Sequence, residues 1–325
     1  MKLVSPSQCI RWPSNSGVRR IAWLLCSLWI GVCWVWMPSA GWAQDSIRHS
    51  MLVLGAKTAI LDEEGQVVWE AAGGSRDGFV LPDGHVLVAY SDRVEEFDSQ
   101  QKVQWSYRLD PVNREIGTAQ RLYNGHTLVT ELGPKPRLLE VDRHDGSIRC
   151  EVALQPETDN AHMQTRMARQ LRQGNYLVPH LLAFAVKEYT PEGQVVRILR
   201  TDLEALGGRP SENWPFTAIR LDNGNTVVSL THGNKVVELN QLGEVVWEIN
   251  NRDVDGLFKD PCGSQRLANG NTVIGSHGAN TGISMVEVTP EKKIVWTSDH
   301  PMAAGVHHFQ ILTTNGKPEP GMPLK

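Results

Sequence analysis

An all-β fold, a six-bladed β-propeller of four-stranded antiparallel blades, is the architecture the sequence predicts, and three observations predict it. An apolar step, a turn at Asn-Gly or a relative of it, and a β-branched run recur five times. A second hairpin signal follows each copy by about 20 residues, and paired turn signals between alternating runs mark antiparallel strands. One further second hairpin opens the repeat region and one lone first-strand segment ends it, so the two ends complete a unit between them.

The first hairpins read FVLPDGHVLVA, AQRLYNGHTLVT, ARQLRQGNYLVP, AIRLDNGNTVVS and SQRLANGNTVIG. Their turn glycines, Gly84, Gly125, Gly174, Gly224 and Gly270, are separated by 41, 49, 50 and 46 residues. The second hairpins read EEFDSQQKVQWSY, EVDRHDGSIRCEV, EYTPEGQVVRIL, ELNQLGEVVWEI and EVTPEKKIVWTS. Four strands per repeat at a period of about 45 residues is the signature of propeller blades. A sixth second hairpin, AILDEEGQVVWEA, has no first hairpin of its own; HHFQILTTNG, residues 307–316, resembles the missing strand. The closing strand is therefore expected from residues near 306–312, innermost, against a strand from residues near 47–54. Closure by the chain ends removes two open sheet edges. The tail KPEPGMPLK cannot continue as a central strand, because proline donates no ladder hydrogen bond, and is expected on the surface. Trp69, Trp105, Cys150, Arg197, Trp247 and Trp296 share one position of the outermost strand, which reads as packing between adjacent blades.

Residues 1–43 hold Lys2, Arg11, Arg19 and Arg20 and no acid, then the apolar run IAWLLCSLWIGVCWVWM, then small residues at Gly41 and Ala43. That order reads as a secretory signal peptide cut at Ala43–Gln44, with an uncleaved anchor as the alternative. Residues 44–325 then form a single propeller domain, expected to be secreted or periplasmic. Removing the four leader cations from 32 leaves 28 Lys+Arg against 36 Asp+Glu, a formal charge of −8. That sign excludes nucleic acid as the main partner, since phosphate binding needs a basic face. Of the five cysteines only Cys150 and Cys262 lie beyond the leader, with no closely spaced zinc pattern. The blade count sets those two on opposite sides of the ring, too far apart for a disulfide.

The units RLDNGNTVV, RLANGNTVI and DEEGQVVW resemble those of bacterial secreted propellers with PQQ-like repeats, and of the arylsulfotransferase-like group among them. The resemblance covers essentially all of residues 44–325. It implies that a channel histidine, His162 or His308, accepts a sulfuryl group from an aryl sulfate and passes it to a phenol. Arg166 or Arg169 would neutralise the sulfate oxygens. The quinoprotein dehydrogenases of the wider class have eight blades and bind pyrroloquinoline quinone with calcium; six units and no vicinal cysteine pair assign no cofactor here.

Blade geometry sorts the 11 histidines. The start of strand one and the ends of strands two and four share one face. His85, His126 and His144 fall in turns of the opposite face, and His49 lies near the N-terminus of the mature chain. His162, His180, His232, His277, His300, His307 and His308 map to the first face, where Glu131 takes the place that His180 takes in the next blade. The longer loops RTDLEALGGRPSENWP and EINNRDVDGLFKDP are on that face too, and long loops on a rigid scaffold gather ligand-binding groups. The candidates are thus His162 and His308 for catalysis, and Glu131, Arg166, Arg169, His180, His232, His277 and His307 for ligand binding; no metal site is assigned. Arg121, Gln170, Arg220 and Arg266 recur one step before the strand-one leucine. They are either a cationic lining or, following the repeat as they do, a polar position satisfied against the next blade.

No phosphate loop, nucleophile elbow or zinc-protease motif appears. Three functions stay open: binding of a small molecule, glycan or protein at the histidine-bearing face; sulfuryl transfer; or a non-catalytic assembly module.

Overall fold

The computed structural model describes residues 46–278, 281–320 and 325. The expected leader, residues 1–43, lies outside them. Six antiparallel sheets form the ring, each with its own run of sequence except the first, which is shared between the two ends. In blade 1, His308–Thr314 pairs with His49–Leu54, which continues through Thr58–Leu61 to Val67–Ala71. Blade 2 runs from Asp77–Val80 to Val103–Arg108, and blade 3 from Glu115–Arg121 to Ile148–Ala153. Blade 4 runs from Arg169–Gln170 to Val195–Arg200, blade 5 from Asn213–Arg220 to Val245–Asn250, and blade 6 from Pro261–Arg266 to Ile294–Ser298. The closing strands overlap the ranges expected from the incomplete units, 306–312 and 47–54, and their register sets Leu54 opposite His308 and Leu52 opposite Gln310.

The tail departs from expectation. Lys317–Pro318 adds a short strand beside His308–Thr314, and the Lys325 side chain is buried in the channel. Proline is compatible with an edge position, where no ladder donor is needed.

Among the described residues, six apolar cores lie between neighbouring blades, one at each seam, and Met167, Phe216 and Cys262 of blades 4, 5 and 6 form a smaller seventh cluster. Leu52, Leu54, Val86 and Val88 join blades 1 and 2, and Met51, Val273, Met285 and Phe309 join blades 6 and 1. The shared outer-strand position supports these seams. Trp69 meets Phe97 edge-on at 5.7 Å, Trp247 donates its indole N–H to the Pro290 carbonyl at 2.8 Å, and Trp296 packs on His49 at 4.7 Å. Cys150 and Cys262 are both free thiols, in blades 3 and 6.

A polar clasp crosses the seams. Glu96, Glu140, Glu188 and Glu238 on third strands receive Arg121, Gln170, Arg220 and Arg266 from the first strand of the following blade. The recurring polar side chains, three arginines and a glutamine, are therefore held between blades. At the seam between blades 6 and 1, Glu287 takes the His49 ring at 2.8 Å instead. At the seam between blades 1 and 2 the pair is apolar, Ile60 with Val80.

Candidate functional site

The mouth of the channel on the histidine-bearing face is built from residues just before or within innermost strands. Arg76 precedes Asp77–Val80, Glu115 opens the first strand of blade 3, and His307 precedes His308–Thr314. Ala161–Met163 is a single helical turn whose start is capped by the Asn160 side chain, and it sets His162 on the rim. Arg76 and Glu115 form a two-pronged ion pair at 2.7 and 2.8 Å. The same carboxylate lies 3.6 Å from His162 Nδ1 and 3.8 Å from the Arg166 guanidinium. Arg166 is buried and reaches over the Phe216 ring at 5.6 Å. His307 stacks near Phe216 and lies 4.6 Å, ring to ring, from His277.

This cup gathers two arginines and three imidazoles around one carboxylate. Burial opposes ionisation of Glu115, yet its hydrogen bonds to His162 and Arg76, with the Arg76 and Arg166 charges, hold its pKa down to about 2. Burial draws Arg166 down to about 10, so it stays charged at neutral pH. Burial first, then the positive neighbours His277, Arg76, Arg166 and His162, pushes His307 down to about 3. Its Nδ1 is buried and has no hydrogen-bond partner among the described residues.

Directly beneath, a polar waist crosses the channel. Arg169 binds Asp77 through two nitrogens, at 2.8 and 2.9 Å, and its Nε donates to the Lys325 main-chain oxygen at 2.9 Å. His308 lies 3.4 Å from both Arg169 and the Lys325 amine. Burial, with the Lys325 and Arg169 charges, holds His308 well below the usual histidine range. Below the waist the channel widens towards the turn face into cavities of about 1000 and 330 Å³, the smaller bordered by Arg169 and Lys325.

Of the sequence candidates, His162, Arg166, His277 and His307 thus come together at the cup, and Arg169 and His308 at the waist. The other three lie apart. Glu131 accepts from Tyr107, Asn113, Arg137 and the Asp110 amide, tying the connection from blade 2 into blade 3. His180 occupies the matching place, fully buried between Tyr189 at 2.9 Å and Glu157 at 3.4 Å. His232 is exposed and stacks on Trp214. His300 caps its own helical turn. On the turn face Asp83, His85 and Glu96 lie within 4.8 Å of one another, but Glu96 already receives Arg121 and Arg143.

Sequence reasoning did not single out Arg76, Asp77, Glu115, Phe216 or Lys325. For Asp77 a signal existed: its repeat position holds Thr118, Met167, Thr217 and Gly263 in other blades, so a carboxylate there breaks the pattern.

The model of the Mal s 1 allergenic protein-like family matches residues 95–283. The chain belongs to that family. The matched stretch contains Glu115, His162, Arg166, Arg169 and His277; Arg76, Asp77, His307 and His308 lie outside it. No curated protein matches the chain. Among solved structures, a Bacteroides caccae protein of unknown function superposes with a TM-score of 0.69 at 23% identity, covering 81% of this chain and 98% of that one. A streptogramin B lyase superposes at 0.54 with 16% identity, covering 75% and 78%. A catalytically inactive variant of virginiamycin B lyase from Staphylococcus aureus, with quinupristin, gives 0.55 at 14%, covering 80% and 86%. At these identities the likeness shows the propeller fold alone. The arylsulfotransferase-like grouping suggested by the repeat units finds no support among these matches.

Proposed function

We propose that this propeller binds a small ligand through an anionic group, a carboxylate or sulfate, in the cup at the channel mouth. The observation that carries the reading is the convergence of Arg76, Arg166, His162, His277 and His307 on one rim with Glu115 as the sole acid among them. Guanidinium groups pair with such oxygens bidentately, and an unpartnered buried ring nitrogen on His307 offers a further bond. Phe216, beneath both Arg166 and His307, suits an aromatic body on the ligand.

The pH dependence has a definite sign. In the free protein His307 is neutral above about 3. An anion beside it favours the imidazolium, so its pKa rises on binding and protons are taken up. Affinity therefore increases as pH falls towards 3. Calorimetric titration with phenyl sulfate at pH 7 and pH 5 should show binding, tighter at the lower pH. His162→Ala, at an exposed rim position, should weaken it about tenfold, the worth of one hydrogen bond to a charged group. His126→Ala, on the opposite face, should leave it unchanged. Equal effects from both, or no binding by the native chain, would remove the reading.

A second reading is sulfuryl transfer through His162. The Glu115 carboxylate beside its Nδ1 supports this, since it would orient the ring and leave Nε2 free to attack. An N–S bond would form as the S–O bond to the aryl oxygen breaks, releasing phenolate; an acceptor phenol's oxygen would then attack sulfur as the N–S bond breaks, its proton passing to solvent and the imidazole returning to its neutral form. Nitrophenolate release from 4-nitrophenyl sulfate in the presence of phenol tests it.

Export is part of the proposal. The basic, then apolar, then small-residue order of residues 1–43 supports it, and among the described residues no helix is long and apolar enough to cross a membrane.

A further inference from the structure

The waist of the channel is a built site with an occupant of its own. The Lys325 amine donates to the Gly78 carbonyl at 2.6 Å, sits 4.0 Å above the centre of the Phe79 ring, and lies 4.0 Å from Asp77. At the other end of the same residue, the main-chain oxygen accepts from Arg169 Nε at 2.9 Å. The side chain is fully buried. An acceptor pair, an aromatic floor and a guanidinium are thus spaced to hold an amine and a carbonyl oxygen separated by the length of a lysine side chain.

We infer that the waist is a binding site for an ω-amino acyl group, the amine-and-carbonyl unit of a lysine or an ω-amino carboxylate, which Lys325 fills from within the chain. Cation–π attraction to Phe79 and the Gly78 carbonyl fix the amine. Arg169, itself anchored by Asp77, fixes the oxygen. Burial lowers the amine pKa, Asp77 opposing and Arg169 assisting, to about 7. Near neutral pH the amine can therefore shed its charge while still donating to Gly78, which limits the cost of burying it. His308, the remaining titratable neighbour, is held neutral. An external ligand reaches the waist from the turn face, through the cavity of about 330 Å³ that Lys325 and Arg169 border.

The site differs from the cup above it in chemistry and in access, so the two can be tested apart. The probe is 6-aminohexanoate, which carries an amine and a carboxyl carbon at the lysine spacing. A tethered lysine competes at an effective concentration in the millimolar range. Lys325→Ala in the full chain should therefore bind the probe at least about tenfold more tightly than the native chain. Hexanoate, lacking the amine, and hexylamine, lacking the carboxylate, should bind the variant more weakly. Phe79→Leu added to Lys325→Ala should reduce probe binding. Nα-acetyl-lysine methylamide distinguishes the ligand's source: binding by it points to a peptide lysine, and binding by 6-aminohexanoate alone to a free amino acid.

A readout on the native chain needs no variant. In acylation footprinting Lys325 should react far more slowly than exposed Lys57 and should become reactive when excess 6-aminohexanoate, but not hexanoate, is added. If Lys325 reacts as fast as Lys57, or the variant binds hexanoate as well as the probe, the inference fails.

Discussion

The arginines that recur with the blades are structural, and their partners show why the position tolerates so few residue types. Glu238 receives Arg266 at 2.9 Å from the next blade and Asn225 at 2.7 Å from its own. Glu188 does the same with Arg220 and Asn175. Removing one member of such a pair strands the other charge in a seam, which typically costs about 3 kcal/mol or more. The chain also carries its own replacement, Ile60 with Val80, at the seam where both charges are missing. Glu238→Ile alone and Arg266→Val alone should each lower the urea midpoint clearly. The double variant should recover most of the loss. If the two losses simply add in the double variant, the clasp is not a coupled unit. The arginine half of this clasp was legible because its spacing follows the repeat. The glutamate half stood in plain view at the head of every second hairpin but AILDEEG, as Glu140 in EVDRHDG and Glu238 in ELNQLG. Only the ring, by bringing adjacent blades together, shows which charge each one meets.

At the scale of strands and turns, the outer hairpin of every blade carries a register shift directly after the clasp position. It falls at Ile60/Leu61, Glu96/Phe97, Glu140/Val141, Glu188/Tyr189, Glu238/Leu239 and Glu287/Val288. One residue of the outermost strand is skipped each time, among them Val68, Val196 and Val246. The bulge explains why consecutive valines such as Val67–Val68 and Val195–Val196 are both exposed where alternation would bury one. Strict alternation could not foretell this, because a single slipped residue reverses the faces beyond it. The turns were more legible, since a left-handed position selects glycine. In the third-to-fourth-strand turns Gly65, Gly146, Gly193 and Gly243 take that conformation, but Gln101 (φ 63°) and Lys292 (φ 65°) fill it in blades 2 and 6. A side chain there costs about 1–2 kcal/mol, partly offset by the greater freedom glycine has when unfolded. Gln101→Gly and Lys292→Gly should therefore each stabilise the fold by about 0.5–1 kcal/mol, read as a rise in denaturant midpoint with unchanged slope. A fall in midpoint would show that those side chains make contacts worth more than the strain.

For the whole molecule the ring converts residues far apart in sequence into one axial column. Arg76 and His307 in the cup are chain neighbours of Asp77 and His308 in the waist, joining the two ends of the described chain across the closing blade. The histidines could be assigned to a face from the strand count, but their convergence depends on rotation around the axis, which the repeat period does not encode. Burial of imidazoles along this column and in blade 4 has a measurable consequence. His180, His307 and His308 are all held below the ordinary histidine pKa, chiefly by burial. Below pH ~6.5 the unfolded chain takes up protons at these three positions more readily than the folded chain does, so stability must fall as pH falls. The slope is about 1.4 kcal/mol per pH unit for each fully neutral histidine, and the His307 share ends near pH 3. Glu115 and Glu157, both lowered to about 2, pull in the same direction, but only below about pH 4.5, where the unfolded carboxylates begin to protonate. Between pH 6.5 and 4.5 these histidines therefore carry the acid loss that buried groups add. Urea unfolding at pH 7, 6 and 5 should show a steep decline in the native chain and a shallower one, by about one proton, in His307→Gln. Parallel declines in the two proteins would mean that His307 is not held neutral in the fold. Phenyl sulfate should flatten the native decline without altering that of the variant. Occupying the cup supplies the negative charge that lets His307 accept its proton while still folded.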